Sequence, residues 1–220
     1  MEVKPLLKFI NNKEGFLGLT LSQIGVFIAT GIILAAVFSF IYYSQWQREA
    51  ELKNMATGLS SLIEGMDTRF FENKTLYYFD RQDYNYNVSI SSEYLIINAD
   101  STWLNELSIK HRFSLRPWPR KNNSNWVSAD QLHNYLRFVY GRSGERSDPI
   151  NKSDIDDVKN YISSEWKNAN KTLVKNPFYV KKIKPLYIEK VFIYYNTDNI
   201  DGWNKINDKK QGFILLYQLL

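Results

Sequence analysis

The alternation of apolar and polar positions changes character three times along the chain. From Phe16 to Gln47 there is no charged residue, and Leu17 to Tyr43 is almost continuously apolar. Those 27 residues span about 40 Å as an α-helix, more than the roughly 30 Å hydrocarbon core of a bilayer. A secretory signal peptide has an apolar region of only about 7–15 residues and a small-x-small cleavage site after it. Here the run ends in Phe40, Tyr42, Tyr43 and Trp46, aromatic rings suited to the headgroup layer. The pattern predicts a transmembrane helix over 16–44, with a short leader over 1–15 and an α+β domain over 45–220.

Beyond the span the period is helical. Leu52, Met55, Leu59, Leu62, Ile63, Met66 and Phe70 step by three and four, so an amphipathic helix is expected to run on to about Asn73 and Lys74. The period then falls to two. Leu76–Phe79, Tyr84–Ile90 and Tyr94–Asn98 read as strands of an antiparallel meander. Ile109–Leu115 is a fourth, ended by Pro117 and Pro119, which have no N–H for a ladder. Ser128 is placed to cap a helix that runs to Gly141, and Ser153 to cap another through Val158, Tyr161, Ile162 and Trp166, with Asp154, Asp156 and Asp157 at its start. Tyr187–Tyr195 and Gly212–Leu219 are expected as closing strands, joined by a polar loop over 196–211. The fold class is α+β: a long N-terminal helix on a mainly antiparallel sheet, with two further helices.

Two features bear on orientation. Lys4, Lys8 and Lys13 precede the span, against Arg48 and Lys53 after it, which favours an N-terminus in the cytoplasm. Asn-x-Ser/Thr acceptor patterns at Asn73, Asn87, Asn122, Asn151 and Asn170 all lie beyond the span, as candidate glycosylation sites of an extracytoplasmic domain. Within the span, Gly25 and Ala29, and Gly31, Ala35 and Ser39, repeat at intervals of four. Such rows let a second helix approach closely in lipid.

The stretch Lys13-Glu14-Gly15-Phe16-Leu17-Gly18-Leu19-Thr20-Leu21 and the apolar run after it resemble the start of a type IV prepilin with a class III signal peptide. The wealth of asparagine and the acceptor patterns are similar to archaeal members, including archaellum accessory proteins held by one N-terminal span. The resemblance covers about residues 4–45. It implies a pilin-like architecture and a structural role in a surface filament. It also implies membrane and envelope-protein partners engaged through the span, and a candidate cleavage between Gly15 and Phe16; an uncut anchor stays open beside processing.

Composition narrows the chemistry. There is no cysteine, which excludes disulfides, thiolate metal sites and cysteine nucleophiles. Only His111 and His133 occur, without an HExxH frame, and no G-x-S-x-G or phosphate-cradling glycine pattern appears. The aspartates at 154, 156 and 157 suit a helix start better than a metal. Asn196–Gly202 lacks the ligand spacing of a calcium loop, since Ile200 stands where an oxygen ligand is needed. No catalytic residue, metal or cofactor is expected. With 28 Lys and Arg against 23 Asp and Glu, the net charge of +5 is mild. Its densest part, Lys110, His111, Arg112, Arg116, Arg120 and Lys121 around Phe113 and Trp118, makes Arg112, Arg116, Trp118 and Arg120 candidate surface-binding residues. An alternating strand with a solvated Arg and Lys face explains them as simply; as a ligand, an anionic lipid or envelope polymer suits them better than nucleic acid, which is not expected as a partner. The sequence therefore points to a non-enzymatic, membrane-anchored assembly protein. The alternative is a monomeric tethered domain that binds an envelope polymer or other ligand.

Overall fold

A computed structural model describes residues 21–100, 107–122, 124–196 and 209–219. The leader, the residues around Gly15 and Phe16, and most of the 196–211 loop lie outside them. The chain divides into two compact units, Met1–Ala50 and Glu51–Leu220. Helix α1, Leu21–Asp67, contributes to both.

In the first unit, residues 22–40 are exposed on every side of the helix. Val26, Phe27, Ile32 and Ile33 are each more than half exposed. A helix apolar all round has no water-facing stripe to orient it. It is long and apolar enough to cross a membrane.

In the second unit, the rest of α1 is followed by β1 (Asn73–Tyr77), β2 (Tyr86–Ile90), β3 (Tyr94–Ala99), β4 (Leu107–Arg112) and β5 (Trp118–Pro119). Then come α2 (Ala129–Tyr140), a short 3-10 turn (Lys152–Asp154), α3 (Ile155–Lys175), β6 (Phe178–Val180), β7 (Leu186–Tyr195) and β8 (Lys209–Tyr217). Two four-stranded sheets form, in the orders β1-β7-β8-β5 and β4-β3-β2-β6. All pairings are antiparallel except the short parallel contact of β5 with β8.

The first sheet is central, because β7 and β8 are apolar on both faces. Leu186, Ile188, Ile214 and Leu216 join one core with Leu52, Leu59, Ile63 and Met66 of α1 and Val88, Ile90, Leu95 and Ile97 of the second sheet. The alternate residues Val191, Ile193, Tyr195, Leu215 and Tyr217 join another core with Leu132 and Leu136 of α2 and Val158 and Ile162 of α3. Strands covered on both faces read as near-continuous apolar runs, and β7 does so apart from Glu189 and Lys190. Both charges are buried and partnered. Glu189 Oε2 accepts from the Ala129 N–H and the Tyr217 hydroxyl, each at 2.9 Å. Lys190 Nζ lies 2.6 Å from Asp67 Oδ1. Opposite Phe192 stands Gly212, where a Cβ would lie 2.6 Å from the ring, so only glycine leaves that ring its space.

Several expected boundaries move. α1 ends at Asp67 rather than near Asn73, and Phe70, beyond the last turn, is 84% exposed instead of completing the buried stripe. The first strand is not in the meander: β2, β3 and β4 pair in sequence, whereas β1 pairs β7, Asn73 opposite Lys190. The fourth strand is shifted to Leu107–Arg112. Pro119 is inside β5, tolerated because the ladder there uses the N–H of Arg120, which donates to the Leu216 carbonyl at 2.8 Å. Ser128 caps α2 as expected, accepting from the Gln131 N–H, and Gly141 ends it with φ of 71°. Ser153 does not cap α3; it lies in the 3-10 turn and donates to Asp154 Oδ1. β8 begins at Lys209, within the stretch expected as loop.

Candidate functional site

The residues expected to pack helix on helix, Gly25, Ala29, Gly31, Ala35 and Ser39, are all exposed in α1. Nothing lies within 4 Å of a Cβ built on Gly25 or Gly31. Of the acceptor asparagines, Asn87 and Asn122 are exposed, while Asn73, Asn151 and Asn170 are half-buried. Asn170 also holds a tertiary contact, its Oδ1 accepting from the Ser92 hydroxyl.

The basic-aromatic cluster is divided by the fold. Arg112 is exposed at the end of β4, opposite Tyr94, and Lys110 stacks on the Tyr94 ring, 3.8 Å from its centroid. The Arg116 side chain is 62% exposed, 3.7 Å from Glu93 Oε1, with its guanidinium 5.9 Å from the Trp166 ring centre. Trp118 and Arg120, however, are 1% and 2% exposed, which corrects the expectation that they form a binding surface. The Trp118 ring meets Trp126 and Phe213 edge-on at 5.0 and 5.4 Å. Arg120 lies 3.7 Å over Trp126, and its Nε and Nη2 donate to the Trp126 carbonyl at 3.0 and 2.8 Å. Glu165 faces Nη1 at 3.5 Å. Burial pushes the guanidinium pKa down against the pull of Glu165, but an arginine keeps its charge. Arg120 therefore braces the Trp126 turn against α3; a buried charge is tolerated there because it is both hydrogen-bonded and paired.

Beside this core is a cleft of about 420 Å³. Its floor is Gln211–Ile214 of β8, one wall is Ile162, Ser163 and Trp166 of α3, and the rim includes Leu115, Arg116 and Asp67. Its size falls in the roughly 300–1,000 Å³ range of ligand sites.

A second constellation, not foreseen from the sequence, surrounds His133. The ring is 5% exposed, with Nδ1 2.9 Å from the Ser143 carbonyl and Nε2 3.7 Å from Glu72 Oε1. A carbonyl only accepts, so Nδ1 carries the proton and Nε2 faces the carboxylate. Burial opposes the charged ring, but Glu72 and the Ser143 carbonyl outweigh it, and the His133 pKa lies above its ordinary value. Glu72 is held low in turn by the His133 ring, against burial. Glutamate, histidine and serine thus meet, but not as a nucleophilic relay. His133 binds the backbone of Ser143, whose hydroxyl donates instead to Glu145 Oε2 at 2.9 Å, so the imidazole is not hydrogen-bonded to that oxygen. The group is a clasp joining α2, the 141–150 loop and the segment before β1. Polar spacing around lone His133 gave no sign of it, because Glu72 is 61 positions away in the chain.

His111 is half-buried on β4 opposite Leu95. Asp156 and Asp157 sit in the first turn of α3. Among the described residues no three His, Asp or Glu are grouped to hold a metal ion. Compared with protein-family models, curated proteins and solved structures, the chain matches none.

Proposed function

We propose that this chain is a membrane-anchored structural or assembly protein, held by residues 16–44, that presents the domain of residues 51–220 outside the cytoplasm. The reading is carried by one observation: a sequence uncharged from Phe16 to Gln47, whose helix is exposed all round over 22–40. Apolar surface of that extent is covered by lipid or by other helices. The small-residue row on it favours helix partners, and with the prepilin-like start it supports a pilin-like subunit or accessory of a surface filament. Asn87 and Asn122, exposed acceptor sites, fit a domain outside the cell.

The absence of native cysteine makes the test clean. A lone cysteine at Gly31 or Ala35 should give disulfide-linked pairs or partner adducts in the native membrane, and one at Val37, on the opposite side of the helix, far fewer. A lone cysteine at Asn87 should react with an impermeant maleimide on intact cells. Release of the protein from membranes by alkaline carbonate, without detergent, would remove the reading altogether. The cleft beside Trp166 favours a second reading, a tethered domain that binds a ligand by itself.

A further inference from the structure

The central sheet treats its two edges differently. Past the end of β1, the outer edge of β7 is bonded at four backbone groups. The Phe192 N–H donates to Glu72 Oε1 at 3.4 Å, the Tyr194 N–H to the Gly144 carbonyl at 2.8 Å, and the Tyr194 carbonyl accepts from the Ile150 N–H at 2.9 Å. The Asn196 N–H then reaches the Ile150 carbonyl at 2.9 Å.

Among the described residues, the outer edge of β8 pairs only at Leu215 and Leu216, with the two residues of β5. Pro117 stops that pairing, since it has no N–H and disfavours continuation of the ladder. The N–H of Arg120 donates to the Leu216 carbonyl, so the backbone groups of Leu216 face β5. In a strand, alternate residues turn their N–H and C=O the same way. The register with β7 is unbroken from Lys209 to Tyr217, so Gly212 and Ile214 face the same side as Leu216. The pairing at Trp118 engages the Ile214 carbonyl. Among the described residues nothing pairs with the Ile214 N–H or with either backbone group of Gly212 on that side. Gly212, which is exposed, and Ile214, which is 2% exposed, both line the 420 Å³ cleft, together with Ile162 and Trp166.

What satisfies a row of strand-edge donors and acceptors is another strand, and aromatic walls hold its side chains. The charge at the rim selects among peptides. Asp67 is neutralised by Lys190 at 2.6 Å. Among the described residues Arg116 has only the partly exposed Glu93, at 3.7 Å, and Lys210, one residue before the cleft, bonds a neutral carbonyl, that of Phe70. We propose that the β8 edge at Gly212–Ile214 is a docking site for an extended, acidic peptide segment of another protein, which adds a strand in line with β5. The proposal stands on residues 67–214 and does not depend on the membrane reading.

The full-length chain in detergent micelles tests it, with the blocked peptide Val-Glu-Val-Glu-Val as probe and tryptophan fluorescence and amide hydrogen exchange as readouts. Saturable binding with slowed exchange over residues 211–214 is expected. Strand pairing uses every second amide, so N-methylating alternate residues in one phase should weaken binding about tenfold, while the other phase binds like the parent. Arg116→Glu, at an exposed position, should weaken the acidic peptide about fivefold and favour its lysine counterpart. Equal binding of both N-methylated phases, unchanged exchange over 211–214, or no saturable binding of any of these peptides would overturn the proposal.

Discussion

Helix α1 contains two regions with the same backbone and opposite surfaces. Over 22–40 every side is exposed and apolar. Over 52–66 the apolar side chains collect on one stripe, and Leu52, Leu59 and Ile63 are fully buried in the first core. Secondary structure does not distinguish the two; the placement of charge does. Glu51, Lys53, Asn54 and Glu64 occupy the faces left by the stripe in the second region, whereas the first has none to place. A stripe says that the chain supplies its own cover, and an unbroken apolar surface says that something else does.

That contrast predicts where substitutions are felt. The largest effect should follow Leu59→Ala, which empties a fully buried site and should cost the domain about 2–5 kcal/mol in denaturant unfolding. Ile32→Ala in the exposed region should leave that unfolding unchanged, and equal losses would erase the distinction. Next, Leu34→Arg should disfavour insertion by about 2.5–3.5 kcal/mol, read as loss from the membrane fraction, with domain unfolding unaltered. The glycines sharpen the comparison further. Gly212→Ala forces a Cβ into the Phe192 ring and should destabilise by about 1–3 kcal/mol. Gly31→Ala meets nothing within 4 Å and should be neutral or stabilise the helix by up to about 1 kcal/mol.

The smallest effect is a pH dependence confined to the domain. The His133 pKa is raised in the folded state, so its contribution is complete below the ordinary value of 6.5 and is lost as pH rises through the folded value. The Glu72 pKa is lowered, so its contribution is present above 4.5 and is lost as pH falls through the folded value. Thermal stability should therefore gain most from this pair between pH 4.5 and 6.5. His133→Gln should flatten the alkaline side of that profile; an unchanged profile would mean that the clasp contributes nothing.

Local signals were legible where one side chain settles a local conformation. Ser128 and Gly141 delimit α2 because a hydroxyl cap and a left-handed glycine act within one turn. The alternation of Tyr86, Val88 and Ile90 with Asn87 and Ser89 marked β2, because a pleat turns alternate residues to opposite faces, although the fold also buries Ser89. Trp118 and Arg120 misled for the opposite reason. Arginine beside tryptophan reads as surface until the carbonyl and indole of Trp126 and the carboxylate of Glu165 close over it. The cleft was invisible in the same way, since Arg116, Trp166 and Phe213 come together only through α3 and β8.

By itself, then, the order of residues determined the apolar helix, the amphipathic stripe after it and most of the strands and helices, since each depends on periodicity within a few turns. Only the tertiary structure decided that β1 leaves the meander for β7, that Glu189 and Lys190 are buried in a central strand, that His133 meets Glu72, and that β5 pairs with β8 at just Leu215 and Leu216 among the described residues. Those outcomes rest on pairings between positions far apart in the chain, where the energy of a contact depends on what the rest of the fold brings against it.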